Sequence, residues 1–256
     1  MEKGQVSSII RAIKVLECFM DHETEWTLKN LVQRLELPTT TVFRQVSTLV
    51  SQGYLSQDPI RKSYQVGPRL LLLSSTILGQ SDLRSIARPQ LEHLSAEVKE
   101  TINLSMLVGW DIFYLDKVET FRTVVCNTKI GTRVPAHASS GGKVILAHKS
   151  QEQIDAYCAR LPEIEPLTPK TITSPDVLRE LLIRARIDGY AVDDGEVEPN
   201  LICIGAPIFG IDQNVVAAVS VAGPDFRMKQ DLDIMKQKVM ETADHISKLL
   251  GGHTGR

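Results

Sequence analysis

The sequence has few of the residues that form disulfides or hold metal ions. Its four cysteines are scattered along 256 residues, and no two of them form a Cys-x-x-Cys pair. This spacing offers no disulfide frame and is typical of a protein that works in the reducing cytoplasm. The six histidines do not form a ligand cluster either. We therefore expect no structural metal and no cofactor.

Long apolar runs are also absent. No run approaches the ~18 residues that a membrane-spanning helix needs, so we expect no membrane contact. The first residues carry charge but are not followed by an apolar stretch and a small-residue cleavage site, so we expect no signal peptide. With 43% hydrophobic and 23% charged residues, the composition is that of a globular protein with room for one large domain or two of ordinary size.

Positive charge is scarce as well. The formal net charge is −2, and residues 1–66 hold eight basic and seven acidic side chains. A DNA-binding domain usually concentrates positive charge on one face. Between residues 37 and 66, Arg44, Arg61 and Lys62 accompany a single acid, Asp58. This surplus is small but suitably placed, and a dimer would double it.

The sequence LPTTTVFRQVSTLVSQGYL, residues 37–55, has the pattern of a DNA-recognition helix. Val42, Val46 and Leu49 recur at helical spacing and form one apolar stripe. The opposite face carries side chains that can bond phosphates or base edges, namely Thr40, Thr41, Arg44, Gln45, Ser47 and Thr48.

Capping residues predict where these helices begin and end. Thr39 or Thr40 can accept a hydrogen bond from a free N–H of the first turn, and Gly53 can end the helix. Upstream, Thr27 is expected to cap a second amphipathic helix, LKNLVQRL, with a turn at Leu37-Pro38 between the two.

A short hairpin with a basic tip is expected next. The segments YLSQD and KSYQV flank Pro59-Ile60-Arg61-Lys62, and such a tip would lie along the DNA backbone or in a minor groove. Helix, turn, helix and hairpin together describe a winged helix-turn-helix, residues 1–66. The alternative is a small helical hairpin buried in a larger core.

The first helix is expected over residues 7–20. Its inward positions are Ile9, Ile13, Leu16, Val15 and Phe19. Arg11 falls on the exposed side, where it either holds a DNA phosphate or is a solvated surface charge. The pattern favours neither.

Residues 67–81 follow as a linker. After Gly67-Pro68 the sequence RLLLLSSTILG places leucine and isoleucine around most of a helix, so this helix must be buried. We expect it to be buried between two subunits, because recognition helices normally read paired half-sites from a two-fold dimer. The alternative is a core helix of either flanking domain.

Residues 82–256 mix helices with strand-like runs that do not alternate strictly, which favours an α+β domain over a doubly wound parallel sheet. Asp82 is expected to cap a helix that Pro89 kinks or breaks. The runs TINLSMLV and DIFYLDKV read as a hairpin, with a third run near residues 123–127. The stretch ASSGGK then opens a helix whose free N–H groups suit an anion. It is not a P-loop, because His137 stands where that motif needs glycine.

In this order and spacing the motifs resemble the IclR family of bacterial transcriptional regulators. They are SSIIRAIKVLE, LPTTTVFRQVSTLVSQGYL, GPRLLLL, RVPAHASSGGKVILA, DGYAVDDGEVEPNLICIGAPI and AVSVAGP. The resemblance covers nearly all of residues 8–250. It implies an N-terminal winged helix, a linker helix and a C-terminal effector domain with a GAF-like fold. It also implies homodimers, often dimers of dimers, bound to double-stranded operator DNA.

The family's small-molecule effector, often a carboxylate, implies a site on this sheet. The positions that match are Ser140, Gly141, Asp193, Cys203 and Ser220. The expected DNA contacts are Arg11, Thr40, Thr41, Arg44, Gln45, Arg61 and Lys62. Two positions depart from the family pattern: Asn200 replaces a usual glycine, and Ala222 replaces a frequent serine.

Some of these residues also allow other interpretations. Cys203 on an apolar strand could be plain core, and Asp193 could be a turn residue. An enzyme would need Cys203 as a nucleophile with His137 as its base, but no third orienting residue is apparent, so no catalytic residue is expected. A sensor acting through a protein partner without DNA is the second rival, and the polar face of the recognition helix argues against it.

Overall fold

The computed structural model describes residues 6–20, 25–73, 82–120, 122 and 129–253. They belong to two compact units, residues 1–81 and residues 82–256. None of the described helices is long and apolar enough to cross a membrane.

The first unit is a winged helix-turn-helix. Its elements are α1 (Ser7–Glu17), a 3-10 turn (Cys18–Met20), β1 (Trp26–Thr27), α2 (Leu28–Leu35), α3 (Thr39–Ser51), β2 (Leu55–Gln57) and β3 (Ser63–Val66). The three strands form an antiparallel sheet in the order β1-β3-β2. The predicted stripe of Val42, Val46 and Leu49 is buried in its core.

Helix boundaries in this unit follow the capping signals in two of three cases. The Thr27 hydroxyl accepts a hydrogen bond from the N–H of Asn30 at 3.3 Å, as predicted. Gly53 follows the end of α3 with φ +74°, which favours glycine. The predicted threonine cap of α3 is wrong: Thr39 is already helical, and the Pro38 carbonyl accepts from the first turn instead.

Helix α1 differs from the prediction in its inward face. Val15 and Phe19 are buried as expected, but Ile9 is 58% and Ile13 49% exposed. Along a helix of 3.6 residues per turn, Ile9 and Ile13 point well away from Val15. The helix therefore has a second apolar face that is uncovered in the single chain.

The linker prediction is described only in part. Residues 68–73 are helical, and Leu71, Leu72 and Leu73 are all at least half exposed. This part of the linker is therefore not a buried core helix within one chain. Ile77 and Leu78 lie outside the described residues, and burial between subunits stays a prediction.

The second unit packs helices on both faces of one antiparallel sheet. Its elements are α4 (Asp82–Val98), β4 (Thr101–Val108), β5 (Asp111–Val118), β6 (Arg133–Pro135), α5 (Ser140–Leu146), α6 (Gln151–Arg160), a 3-10 turn (Leu161–Glu163), α7 (Pro175–Asp188), β7 (Ala191–Asp194), β8 (Leu201–Phe209), β9 (Val215–Pro224), α8 (Asp225–Met228) and α9 (Leu232–Leu249). The strand order is β6-β5-β4-β9-β8-β7. The α+β class, with an antiparallel sheet, is as predicted.

Alternation along the central strands gives the sheet one apolar and one polar face. Ile102 and Leu104 of β4 join the core cluster that includes residues of α4 and α9. The alternate residues Thr101, Asn103 and Ser105 face the other side, because successive strand residues point to opposite faces. The sheet therefore has polar side chains at the centre of one face, which is unusual for a buried surface.

One expectation about local structure needs correction. Helix α4 continues through Pro89, so the expected break is wrong, and the alternative of a kink stays a prediction. Helix α5 begins at Ser140, as the stretch ASSGGK predicts, and the Ser139 hydroxyl caps it. The third strand-like run, residues 123–127, lies outside the described residues, as does the side chain of Asp82.

Candidate functional site

The polar face of α3 is open to solvent. Thr40 and Arg44 are exposed, whereas Thr41 and Gln45 are half-buried beside the apolar stripe. The Thr48 hydroxyl donates to the Arg44 carbonyl at 2.8 Å, so its proton is already engaged. The structure thus places Thr40, Thr41, Arg44 and Gln45 on one helix, where a major groove could receive them.

Phe43 was missed by the sequence reasoning. It lies next to Arg44 on α3, and its side chain is 51% exposed. The signal was available, because an aromatic residue off the apolar stripe of an amphipathic helix must face outwards. Apolar side chains on a recognition helix can contact the methyl group of thymine.

A local hydrogen-bond pattern shapes the tip of the wing. The Asp58 carboxylate accepts from the N–H groups of Ile60 and Arg61 at 2.7 and 2.9 Å. These bonds hold the pKa of Asp58 below its ordinary value. Lys62 completes the turn with φ +55°. The tip is therefore ordered, with Ile60, Arg61 and Lys62 on its exposed surface.

Two further predicted DNA contacts, Arg61 and Arg11, are exposed, and Arg61 already has an ion-pair partner. Arg61 forms an ion pair with Glu25 at 3.5 Å while its side chain stays 70% exposed. Exposed pairs of this kind contribute little, so the guanidinium can exchange Glu25 for a phosphate. Arg11 is exposed on α1 and lies on a different element from both α3 and the wing.

A cavity of about 270 Å³ opens on the polar face of the large sheet. It is lined by Asn103, Ser105, Ile112, Tyr114, Thr132, Val134, Ser139, Ser140, Gly141, Asp193, Val197, Glu198, Leu201, Cys203 and Ser220. All five predicted effector positions are in this set. Five residues from four separated segments of the chain thus meet at one site.

The start of α5 forms one wall of the cavity. The Ser139 hydroxyl accepts from the N–H of Gly142 at 3.0 Å and caps the helix. The N–H groups of Ser140 and Gly141 lie in the first turn, where helix geometry provides no partner. Because α5 has only seven residues, its dipole is short, and these two N–H groups are the chief hydrogen-bond donors that its first turn offers to the cavity.

Glycines bring α5 close to the sheet. A side chain at Gly205 of β8 would approach the backbone N of Gly141 to 2.8 Å, and one at Gly142 would approach the Ala136 carbonyl oxygen to 2.1 Å. A side chain at Gly141 would approach the Ser105 hydroxyl to 2.7 Å. Substitution at Gly141 would therefore disturb helix packing as well as the cavity.

Asp193 is a buried carboxylate at the end of β7. Its Oδ1 accepts from the N–H of Glu196 at 2.6 Å, which shapes the loop after the strand. Burial raises the pKa of Asp193 to about 6. The residue therefore has the structural role that the turn interpretation gave it, and it also lines the cavity.

A buried ion pair lies beside Asp193. Lys143 of α5 is 2% exposed, and its Nζ donates to the Val192 carbonyl at 2.8 Å and to the Glu196 carboxylate. Burial raises the pKa of Glu196 to about 7, although Lys143 opposes that shift. The pair ties α5 to the loop that follows β7.

Cys203 and Ser220 lie on the two strands between Asp193 and β4. Cys203 of β8 pairs with Asp193 on one side and Ala222 on the other. Ser220 of β9 pairs with Asn103. Cys203 is half-buried at the cavity rather than fully enclosed in core.

The structure shows the surroundings of the two residues, Asn200 and Ala222, that depart from the family pattern. Asn200 has φ +63°, a conformation that glycine adopts most easily and asparagine tolerates. Ala222 pairs with Thr101, whose buried hydroxyl has no hydrogen-bond partner among the described residues. A serine at residue 222 would place a second hydroxyl opposite that group.

A β-bulge turns additional residues toward the cavity. The register between β4 and β5 shifts between Leu104 and Ser105, so that Ser105 pairs with Tyr114. A regular ladder would pair Ser105 with Leu115, which instead belongs to the core on the other face. The bulge therefore adds Tyr114 and Ile112 to the cavity wall.

The geometry does not support a Cys203–His137 nucleophile. His137 is absent from the residues that line the cavity, and its Nδ1 is 2.9 Å from the Tyr157 hydroxyl. Burial lowers the pKa of His137 to about 4, which makes it a weak base at neutral pH.

The sequence and fold match known proteins over both units. The family model for the "IclR helix-turn-helix domain" matches residues 8–59, and the model for the "Bacterial transcriptional regulator IclR C-terminal" matches residues 75–248. The HTH-type transcriptional regulator KipR of Bacillus subtilis is 34% identical over 245 residues, which cover 95% of this chain and 97% of that protein.

Solved structures of regulators from this family have the same fold as this chain. A putative IclR transcriptional regulator from a Silicibacter species has a TM-score of 0.88 at 26% identity, covering 96% of this chain and 97% of that one. An IclR homologue from Microbacterium hydrocarbonoxydans, complexed with 4-hydroxybenzoate, has a TM-score of 0.81 at 29% identity, covering 95% and 99%. With a winged helix-turn-helix in one unit and matches along both, the chain belongs to the IclR family of bacterial transcriptional regulators.

Proposed function

We propose that this chain is a DNA-binding transcriptional regulator whose affinity for its operator is controlled by a small organic acid. The observation that carries the effector half is the single cavity that gathers Ser140, Gly141, Asp193, Cys203 and Ser220. First-turn N–H groups suit a carboxylate, and the Asp193 and Ser220 side chains suit hydroxyl or oxo groups.

The size of the cavity limits the effector. A volume of about 270 Å³ corresponds to roughly nine waters at the share that each has in the liquid. An acid with about ten non-hydrogen atoms fits that space. The Microbacterium homologue, whose structure contains 4-hydroxybenzoate, supports an aromatic or short-chain acid as the first class to test.

The DNA half of the proposal rests on α3 and the wing. Thr40, Thr41, Arg44 and Gln45 would enter the major groove, and Arg61 and Lys62 would follow the backbone or a minor groove. Arg11 would hold a phosphate from α1. Because residues 1–66 hold eight basic and seven acidic side chains, one chain offers DNA little positive charge. We expect the working form in the cytoplasm to be a homodimer, or a dimer of dimers, that doubles these contacts.

The units we propose are a DNA-binding domain over residues 1–66, a linker helix over residues 67–81 and an effector domain over residues 82–256. Effector binding would change operator occupancy through a coupling free energy of about 1–3 kcal/mol, the usual size for linked sites. The linker is the segment of the chain that joins the two sites.

The test combines two measurements on the full chain. A thermal-shift screen of organic acids finds the effector, because a ligand that binds the folded state raises the melting temperature by mass action. An electrophoretic shift with the DNA upstream of the gene, with and without the hit, measures the coupling. An effector that binds while no upstream DNA is retained would favour a sensor that acts through a protein partner. If no acid shifts the melting temperature, the effector proposal is wrong.

A further inference from the structure

Asn103 stands out among the residues that line the cavity. It lies on β4, is only 2% exposed and faces the cavity. Its carboxamide oxygen has no hydrogen-bond partner among the described residues. Buried polar groups are almost always hydrogen-bonded, because leaving one unpaired sacrifices its interaction with water. An unpaired oxygen at this position points to a partner that arrives with the ligand.

We propose that Asn103 determines effector specificity by accepting a hydrogen bond from a hydroxyl group of the ligand, so that the effector is a hydroxy acid. This inference rests on the proposed function, because it assigns a group within the same cavity. Asn103 would then determine specificity in addition to the five positions that match the family.

The fold does not otherwise need an amide at residue 103. The backbone of Asn103 pairs with Ser220 and Lys117 whatever its side chain is. Its strand neighbours Ile102 and Leu104 are apolar and fully buried on the other face. An apolar residue at position 103 would remove an unpaired buried oxygen. The asparagine is therefore best explained by the ligand.

The surroundings favour a neutral donor over an ammonium group. Asn103 lies opposite Ser220 across the strand pair, and Ser105 is the next residue on the same face of β4. Neither serine carries a charge. A buried ammonium group needs a paired charge, and Asp193 lies across β8 and β9 from β4. A hydroxyl matches the carboxamide oxygen without that requirement.

The experiment uses matched pairs of acids that differ by one hydroxyl. Calorimetric titration of the full chain compares 4-hydroxybenzoate with benzoate and 4-hydroxybutyrate with butyrate. In the wild type we expect the better-fitting hydroxy acid to bind about ten- to a hundredfold tighter than its parent acid, the range of one hydrogen bond plus the penalty for leaving its acceptor unpaired. In Asn103→Leu we expect that ratio to fall to about threefold or less.

A control variant separates specificity from cavity shape. Ile112→Val removes one methylene from the cavity wall, and it should weaken both members of a pair by a similar factor while keeping their ratio. Asn103→Leu should also raise the melting temperature of the ligand-free protein, because an unpaired buried oxygen is replaced by apolar surface. A residue kept for structure would lower it. If the leucine variant does not fold, Asn103→Ala should give the same loss of the ratio.

The outcomes separate the two proposals. Parent and hydroxy acids that bind the wild type equally would overturn the role of Asn103 and leave the carboxylate effector intact. A ratio that survives in the folded Asn103 variants would do the same. If none of the four acids binds to the wild type, even at millimolar concentration, the effector class proposed for this cavity is itself wrong, and the inference fails with it.

Discussion

Lys143 and Glu196 form a buried ion pair that joins two walls of the cavity. Lys143 is in α5, two residues after Gly141 of the cavity wall, and Glu196 is in the loop that Asp193 shapes. The Glu196 oxygen Oε2 has no partner among the described residues, so Lys143 is the chief partner of the Glu196 carboxylate. The relative position of Ser140 and Asp193 therefore depends on this contact.

We predict that Lys143→Met lowers the free energy of unfolding by about 3–5 kcal/mol, because Glu196 must then either stay charged without its partner or take up a proton. Urea denaturation followed by circular dichroism measures the loss. The double variant Lys143→Met, Glu196→Gln should recover part of it, because no uncompensated charge remains. A single variant as stable as the wild type would mean that the Lys143–Glu196 pair makes no net contribution to stability.

Asp193 should make effector affinity depend on pH. Burial raises its pKa to about 6, so above that pH it is charged and repels a ligand carboxylate, and below it is neutral. Affinity for benzoate should therefore rise about three- to tenfold as the pH falls from 7.5 to 5.5, where the ligand, with a carboxyl pKa of ~4, is still ionised.

Asp193→Asn is the matched variant for that titration. The amide oxygen can still accept from the N–H of Glu196, so the loop should keep its shape, while the charge is gone. The pH dependence should become shallower but not vanish, because Glu196, with its pKa raised to about 7 by burial, acts in the same direction. A dependence unchanged by Asp193→Asn would place the responsible group elsewhere.

The parts of this structure that were predicted from sequence are those that short-range rules decide. The Val42, Val46 and Leu49 stripe, the Thr27 cap and the left-handed Gly53 each depend on residues within a few positions. The five effector positions came from resemblance to a family. Their convergence on one cavity was not visible in the residues themselves.

Two features were missed for physical reasons. The bulge that pairs Ser105 with Tyr114 depends on strand register, which no local pattern of β5 encodes, so Tyr114 and Ile112 were not expected at the site. Ile9 and Ile13 were assigned to the core because they are apolar. Apolar character indicates that burial of a side chain is favourable, but it does not indicate which surface the side chain packs against.

Arg44 should contribute to operator binding. We predict that Arg44→Ala weakens specific binding by about 1–3 kcal/mol if the guanidinium reads a base edge. If it holds a phosphate, the loss should be similar on all sequences and the salt dependence should drop by about one unit. Fluorescence anisotropy on operator and unrelated DNA at several salt concentrations separates these cases. The matched control is Arg184→Ala, which removes the same charge from an exposed position of α7. It should leave both affinities unchanged.

Phe43 gives a prediction that modified DNA can test. If its exposed ring contacts a thymine methyl group, Phe43→Ala should weaken operator binding by about 1 kcal/mol, near the value of one buried methylene. Replacing dT by dU in the operator removes only that methyl group. It should weaken the wild type by a similar amount and leave Phe43→Ala nearly unaffected. An equal effect of dU on both proteins would show that Phe43 does not read the methyl group.

The exposed leucines after Gly67 should form a subunit contact. Leu71 and Leu72 are 71% and 67% exposed in the single chain, so Leu71→Glu with Leu72→Glu should not disturb the fold of that chain. In a dimer the same substitutions would bury charges without partners, which costs several kcal/mol. Size-exclusion chromatography with light scattering should then show monomers at concentrations where the wild type is dimeric, and operator affinity should fall because the two half-sites are no longer read together.

The matched control is Ile183→Glu with Ile187→Glu, on equally exposed positions of α7. This variant should stay dimeric. If the leucine variant remains a dimer with full operator affinity, the subunits meet through another surface.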